Sequence, residues 1–302
     1  MTAAVAPPST AAASLESVLG RIDNLPTLPP VALRIGELIN DPRSSARAIA
    51  DLLRQDPSLS AKILRIVNSP YYAIPGGVTD ILRALSFVGF NTLHQLILSV
   101  SVLGALGGPG AGELDAHALW LHSLAVGACA ETIGRRVAPR DAGSLFSAGL
   151  LHDIGKIALA ISEPVRFGAA VKAAARTGVG MTVAEREVGL PSHSLVGSRL
   201  ARRWRFPAAL LVAIEHHHDV ERDDVRAHMA PALRTTVDVV AMADHLCRRY
   251  AIGSGGSPPP EGNDGEALAR LGVSALEADR IHSELMRRLE ASRTFLDLLE
   301  RR

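Results

Sequence analysis

Apolar side chains in this chain recur at three- and four-residue intervals, the spacing that places them on one face of a helix. Helical patterns begin near Ser14. "LPTLPP" interrupts them ahead of a helix expected at about 31–40, and Ser44 or Ser45 can cap a helix running to Gln55. "DPS" then places Asp56 as N-cap with Pro57 in the first turn of a helix that ends at "NSPYY". Two more helices are predicted, from Thr79 to Val88 and, capped by Asn91, from Thr92 to Leu106. No strand pattern competes in these first hundred residues, and the expected fold is all-α.

Punctuation divides the chain further. Residues 1–13, rich in Ala, Pro, Ser and Thr, read as a disordered tail, and residues 14–106 as an N-terminal helical lobe. "GGPGAGE" at 107–113 reads as a hinge before a second helical lobe at 114–252. "GSGGSPPPEGNDG" at 253–265 has the composition of a flexible surface linker, and 266–302 repeats apolar residues at helical spacing as one amphipathic helical region.

Composition narrows this picture. Hydrophobic residues make up 47% of the 302 positions, ample for a sizeable core, and aromatics only 4%, which favours helix over sheet. The 32 basic and 31 acidic residues nearly cancel, so no global field asks for nucleic acid or an anionic membrane. Cys129 and Cys247 lie inside helical patterns and read as small core residues of a reduced compartment. The N-terminus lacks the basic and apolar regions of a signal peptide, and the expected location is the cytoplasm. The most apolar run, "LHQLILSVSVLGALGG", is shorter than the roughly 20 residues a spanning helix needs and reads as a buried helix.

The candidate chemistry lies in the second lobe. "LLHDIGK" at 150–156 sets His152 and Asp153 in an apolar run, with Ala148, Gly149 and Gly155 leaving room around them. Such a pair is tolerable either as hydrogen-bonded core polar groups or as metal ligands. Lys156, one turn on, can pair with Asp153 or neutralise an anion. His122 has Ala118, Ala125, Val126 and Cys129 as helical neighbours and points inward; His193 stands near the start of a helix that Ser192 can cap. Of the three histidines in "EHHHD", His217 and His218 are the preferred ligands, and His216 is either exposed or placed behind them. Asp244 shares a stripe with Val237, Val240 and Cys247, where an unpaired carboxylate would be costly. Several imidazoles with two carboxylates suit one or two divalent ions such as Fe, Mn, Ni, Zn or Mg. Elsewhere, Asn68 and Ser69 read as a helix C-terminal turn, and Arg202, Arg203 and Arg205 as solvated charges.

The order His122, His152-Asp153, His193, His217-His218, Asp244 resembles the metal-ligand order of the HD superfamily of phosphohydrolases. The first lobe, with "LPTLPPVALRIGELINDP", "ADLLRQDPSLSAKILRIVNSPYY" and "ALSFVGFNTLHQLIL", resembles the HDOD branch of that superfamily. The resemblance implies a two-lobed all-α fold whose second lobe is an HD-type bundle, and a regulatory or scaffold role in bacterial signal transduction with a protein partner. It also implies an alternative, a metal-dependent phosphohydrolase or phosphodiesterase acting on a nucleotide or other phosphoester, with Asp153 and Lys156 in the catalytic role. Two features separate the chain from the HD-GYP branch that hydrolyses cyclic di-GMP. No Gly-Tyr-Pro loop follows the paired histidines, and Ala118 stands where some of those proteins carry a glutamate. No membrane partner is expected, nucleic acid is disfavoured by the charge balance, and a homodimer is compatible with the apolar first-lobe helices.

Overall fold

The computed structural model describes residues 10–39, 45–69, 72, 74–106, 114–220, 222–260 and 265–291, and among them all regular structure is helical. The first lobe is α1 (Thr10–Asp23), α2 (Pro30–Ile39), α3 (Ala46–Leu53), α4 (Pro57–Val67), α5 (Ile81–Val88) and α6 (Phe90–Leu106). Short side chains start three of these helices by accepting from otherwise orphaned amides: Ser45 from Ala48 at 3.2 Å, Asp56 from Leu59 at 2.9 Å and Asp80 from Arg83 at 2.9 Å. Asn68 ends α4 and grips the chain ten residues on. Its side chain donates to the Val78 carbonyl at 2.7 Å and accepts from the Val78 amide at 2.6 Å. Two boundaries differ from expectation. α1 begins at Thr10, inside the tail read over 1–13, of which residues 1–9 lie outside the described residues. α6 begins at Phe90, ahead of the expected Asn91 cap, because Gly89 at φ +82° turns the corner directly from α5. The hinge read at 107–113 lies outside the described residues.

The second lobe is α7 (Ala116–Val137), α8 (Ala142–Leu151), α9 (Ile154–Ser162), α10 (Pro164–Thr177), α11 (Met181–Glu187), α12 (His193–Arg203), α13 (Ala208–His216), α14 (Asp223–Arg226) and α15 (Pro231–Arg249). α7 is buried on every face from His122 to Gly134, as a core helix is, and packs against α8 and α15. Two crossings depend on missing side chains. A Cβ on Gly149 of α8 would come within 2.8 Å of the Val126 carbonyl on α7, and one on Gly155 of α9 within 1.8 Å of the His193 carbonyl on α12. The span Ala142–Ser162 is long and apolar enough to cross a membrane, yet 89% of it is buried within the protein, as expected of core helices.

The two lobes do not keep separate cores. One apolar cluster runs from Ile35, Ile49 and Leu53 to Ala125 and Val126 of α7 and Val239 and Val240 of α15. The other joins Val18 and Ile22 of α1 to Ile154 of α9 and Val196 and Leu200 of α12. Polar contacts run along the same seam: Arg199 forks onto Asp23, Arg203 donates to the Leu25 carbonyl at 3.0 Å, and Arg205 reaches Glu37 at 3.4 Å. The arginines read as solvated charges, Arg202, Arg203 and Arg205, are exposed, and each also finds a partner, Arg202 in Glu215.

Past α15, the helical region expected over 266–302 divides into α16 (Gly265–Arg270) and α17 (Ala275–Ala291), the latter packed on α7. Gly272 at φ +63° makes the break, and Ser274 and Glu277 cap each other across the first turn of α17, with contacts of 2.8 and 3.3 Å. The segment expected as a surface linker behaves differently over its described residues. Residues 253–260 fold back onto the second lobe, where the Ser254 amide donates to the Ala118 carbonyl at 2.9 Å. A glycine-rich backbone can approach a helix that closely because it carries no side chains to keep it away. Residues 261–264 and 292–302 lie outside the described residues.

Candidate metal centre

Five elements deliver the polar side chains to one place. His122 comes from the middle of α7, and Asp244 from the inward stripe of α15, next to Val240 and Cys247. His152 and Asp153 occupy the break between α8 and α9, which lets two consecutive side chains converge where a straight helix would fan them about 100° apart. His193 is the first residue of α12, whose Ser192 cap accepts from Leu195 at 3.2 Å. His217 caps α13, and His218 follows it.

Asp153 is the hub. One carboxylate oxygen lies 3.3 Å from His193 Nε2 and 3.7 Å from His217 Nε2; the other lies 3.3 Å from His152 Nε2 and accepts from Lys156 Nζ at 2.6 Å. Around it the potential ligands fall into two threes, His193 with His217 and His218, and His122 with His152 and Asp153. In each set the ligand atoms lie within 4.8 Å of one another. His122 Nε2 is 3.0 Å from Asp244 Oδ1, which is 3.9 Å from His152 Nε2. His193 Nε2 and His218 Nε2 face each other at 3.0 Å.

The far side of each buried ring explains the orientation. Nδ1 of His152 is 2.6 Å from the Gly149 carbonyl, and Nδ1 of His217 is 3.1 Å from the carbonyls of Ala213 and Ile214. Nδ1 of His122 is 3.4 Å from the Ile252 carbonyl, and Nδ1 of His193 is 2.9 Å from Glu185 Oε1. An acceptor at Nδ1 fixes the proton there and leaves the Nε2 lone pair pointing inward, the arrangement that metal-binding histidines adopt. His152 Nε2, His217 Nε2 and Asp153 Oδ1 are buried without a hydrogen-bond partner. Unsatisfied atoms of this kind cost about 1–3 kcal/mol each, and a cation among them removes that cost. The residues therefore fit a divalent metal.

Electrostatics point the same way. Burial works against charge on Asp153, but the His152 imidazole and the Lys156 ammonium outweigh it and hold the carboxyl well below the usual range. Asp244 is held down likewise against its burial, by Arg248 and then by His122. Burial keeps His217 neutral, with the neighbouring imidazoles of His218 and His152 adding to the effect. His193 is the exception: burial alone would lower its pKa, yet the Glu185 carboxylate and Asp153 raise it to about 9.

All seven expected ligands, His122, His152, Asp153, His193, His217, His218 and Asp244, meet here, and Lys156 joins them through Asp153. His216 turns away to Asp219 at 3.0 Å. Two participants escaped the sequence reading. Glu185 is fully buried and also accepts from the His193 amide at 2.9 Å. Its signal was available, since it shares an inward face with Met181, Ala184 and Val188, the same anomaly that singles out Asp244. Arg248, one turn beyond Asp244, donates to it at 3.0 Å.

The sequence profile of the HDOD domain matches residues 25–220. The chain belongs to the HDOD domain family. Among solved structures, an HDOD domain protein with unknown function from Geobacter sulfurreducens is 28% identical, with a TM-score of 0.74 over 93% of this chain and 99% of that one. A candidate signal transduction protein from Marinobacter aquaeolei VT8 has the same fold, with a TM-score of 0.77 at 20% identity over 96% of this chain and 66% of that one. An uncharacterised protein of Treponema pallidum (strain Nichols) is 26% identical over 241 residues, 77% of this chain. The HDOD chain spans only 44% of the length of that curated relative.

Proposed function

We propose that this HDOD protein is a regulatory module of bacterial signal transduction, acting in the cytoplasm on a protein partner, whose second lobe holds one or two divalent ions. The observation that carries the metal reading is the arrangement of four buried imidazoles, each with an acceptor at Nδ1 and its Nε2 turned toward Asp153 or Asp244. Asp153 lies between the two ligand sets and can bridge two ions. Family membership and the likeness to a candidate signal transduction protein support the signalling role. The test is elemental analysis of the purified protein together with a binding screen of cyclic and linear nucleotides. A wild-type chain that stays metal-free after refilling with Mn or Fe overturns the reading.

A second reading, a phosphohydrolase acting on a small phosphoester, is favoured by the completeness of the set and by Lys156. Ions held by these residues would activate water and stabilise a leaving phosphate oxygen. The chain's own groups would contribute orientation and charge. Asp153 would align the attacking water, Lys156 would offset charge on a phosphate oxygen, and Glu185 would hold the proton on His193 Nδ1. Cleavage of cyclic di-GMP is not expected, because nothing in "HHHDVERDDVRAHMAP" replaces the Gly-Tyr-Pro loop. Rapid metal-dependent turnover of cyclic di-GMP would contradict this.

A further inference from the structure

The two sides of the centre differ in what covers them. On the His193 side, His218 is exposed to solvent. On the other side the chain itself lies across the polar groups. After α15 the backbone turns at Gly253, whose φ is +66° and where a Cβ would come within 2.3 Å of the His122 amide nitrogen. The Ser254 amide then bonds the Ala118 carbonyl, one turn before His122. Gly255 is buried directly on the charged pair. A Cβ there would lie 2.8 Å from Lys156 Nζ, 2.9 Å from Asp153 Oδ2 and 3.3 Å from His122 Cδ2. Further on, Ser257 Oγ accepts from the Met181 amide at 3.4 Å, tying the segment to the start of α11. A phosphate oxygen in contact with Lys156 Nζ requires a separation of about 2.7–2.9 Å. A Cβ on Gly255 would already stand at that distance, so the segment lies directly over the ammonium, and Lys156 itself is only 2% exposed.

We infer that residues 253–257 form a strap that decides what reaches this centre: it seals the Asp153–Lys156 side, so that small ions enter beside His218, while a phosphate group contacts Lys156 only when the strap lifts. The ligand contacting Lys156 is an anion, since Lys156 is the cation that the strap covers and its only partner among the described contacts is Asp153, and its phosphate class is taken from the phosphoester reading above. The ligand part of the inference rests on the metal reading above; the seal does not.

The chain suits a test that needs no activity, because its three lysines are Lys62, Lys156 and Lys172. Full-length metal-free protein is treated with an amine-acylating reagent and modification at each lysine is followed by mass spectrometry, with exposed Lys172 as the internal standard. Lys156 should lag far behind Lys172 in the wild type. Ser254→Pro removes the donor to Ala118 and, by constraining the residue before it, also opposes the φ of Gly253. Lys156 labelling and hydrogen exchange of residues 252–257 should then both rise about fivefold, the change expected from losing one net backbone hydrogen bond. Gly255→Val, whose side chain has no room against Lys156 and Asp153, is the second variant and should act in the same direction. The inference is overturned if Lys156 labels as fast as Lys172 in the wild type. It is equally overturned if the segment exchanges faster in a variant while Lys156 stays protected, or if the segment stays protected in both variants. In a parallel arm, inorganic phosphate added to Mn-loaded protein should raise exchange in residues 252–257, and unchanged exchange with phosphate bound refutes the lifting. Wild-type protein that takes up no Mn defeats the metal reading instead, and the acylation result still judges the strap.

Discussion

The two halves of the centre use the same residue types and are held by different means. His122, His152 and Asp244 are buried, with the strap against His122, and their outward contacts go to the Ile252 and Gly149 carbonyls and to Arg248. His193, His217 and His218 reach the surface through His218, and the outward contact of His193 is a carboxylate, Glu185. Backbone carbonyls orient His122 and His152 in the covered half and His217 in the open one, so the halves differ in the side chains behind them, Arg248 and Glu185, and in access to solvent through His218. Geometry set by main-chain atoms also survives single substitutions better than geometry set by one carboxylate.

Asp153 belongs to both halves, so its loss should produce the largest effect and erase the difference between them. Asp153→Ala should abolish metal binding altogether and leave Lys156 buried without its partner, at a cost of about 3–5 kcal/mol. Asp153→Asn, which preserves shape, separates metal loss from unfolding when metal content and thermal melting are read together. Full metal occupancy in Asp153→Asn would dissolve the idea of a shared ligand.

Glu185→Gln should sharpen the comparison, because it touches only the open half. Removing the carboxylate behind a ligating imidazole typically weakens metal affinity about 10–100-fold. A competition titration against a chelator should show that loss for one ion while the ion held by His122, His152 and Asp244 is retained. Equal weakening of both would mean that the halves are not independent.

Gly155→Ala acts on the open half through the backbone. Its Cβ would meet the His193 carbonyl, so α9 and α12 must separate, and overpacking of this kind costs roughly 1–3 kcal/mol. The melting temperature should fall and the His193 set should lose metal first. Unaltered stability would show that the crossing is more yielding than its geometry indicates.

The smallest effect is expected at the seam that fastens α12 to the first lobe. Arg199, by its hydrogen bond, holds the Asp23 carboxyl below its ordinary value against slight burial. A depressed pKa in the folded state means that this contribution is present above about pH 4 and fades as pH falls through the folded value. Asp23→Asn should therefore lower stability by at most ~1 kcal/mol at neutral pH, because both partners are largely solvated, and the gap from wild type should close in acid. Denaturant melts at pH 7 and pH 3 measure this; a gap that widens in acid would contradict the pairing.

How far the centre was legible follows from the range of the interactions. His122 and Asp244 were recognisable because helical periodicity alone makes a polar residue on an apolar stripe an anomaly. Glu185 carried the same mark, but on a helix of seven residues between two glycine-bearing turns the stripe was too short to stand out. The break between α16 and α17 was written in "VSALE", a capping box that the continuing amphipathic pattern obscured. The strap left no such trace, since "GSGGS" has the composition of a free linker and only its neighbours in space make it otherwise.

The sequence by itself determined most of the helices, caps such as Ser45, Asp56 and Ser192, the inward faces and the inventory of ligand types, because these depend on residues within about a turn of one another. Only the tertiary structure decided which ring nitrogen faces the centre, that Asp153 stands between two sets, and which half is covered. The His122 ring is oriented by contacts with Asp244 and Ile252, 122 and 130 residues away, and its cover comes from a glycine-rich segment that no local pattern ties to it. Contacts at that distance form only when the helices pack, and packing is set by the whole core.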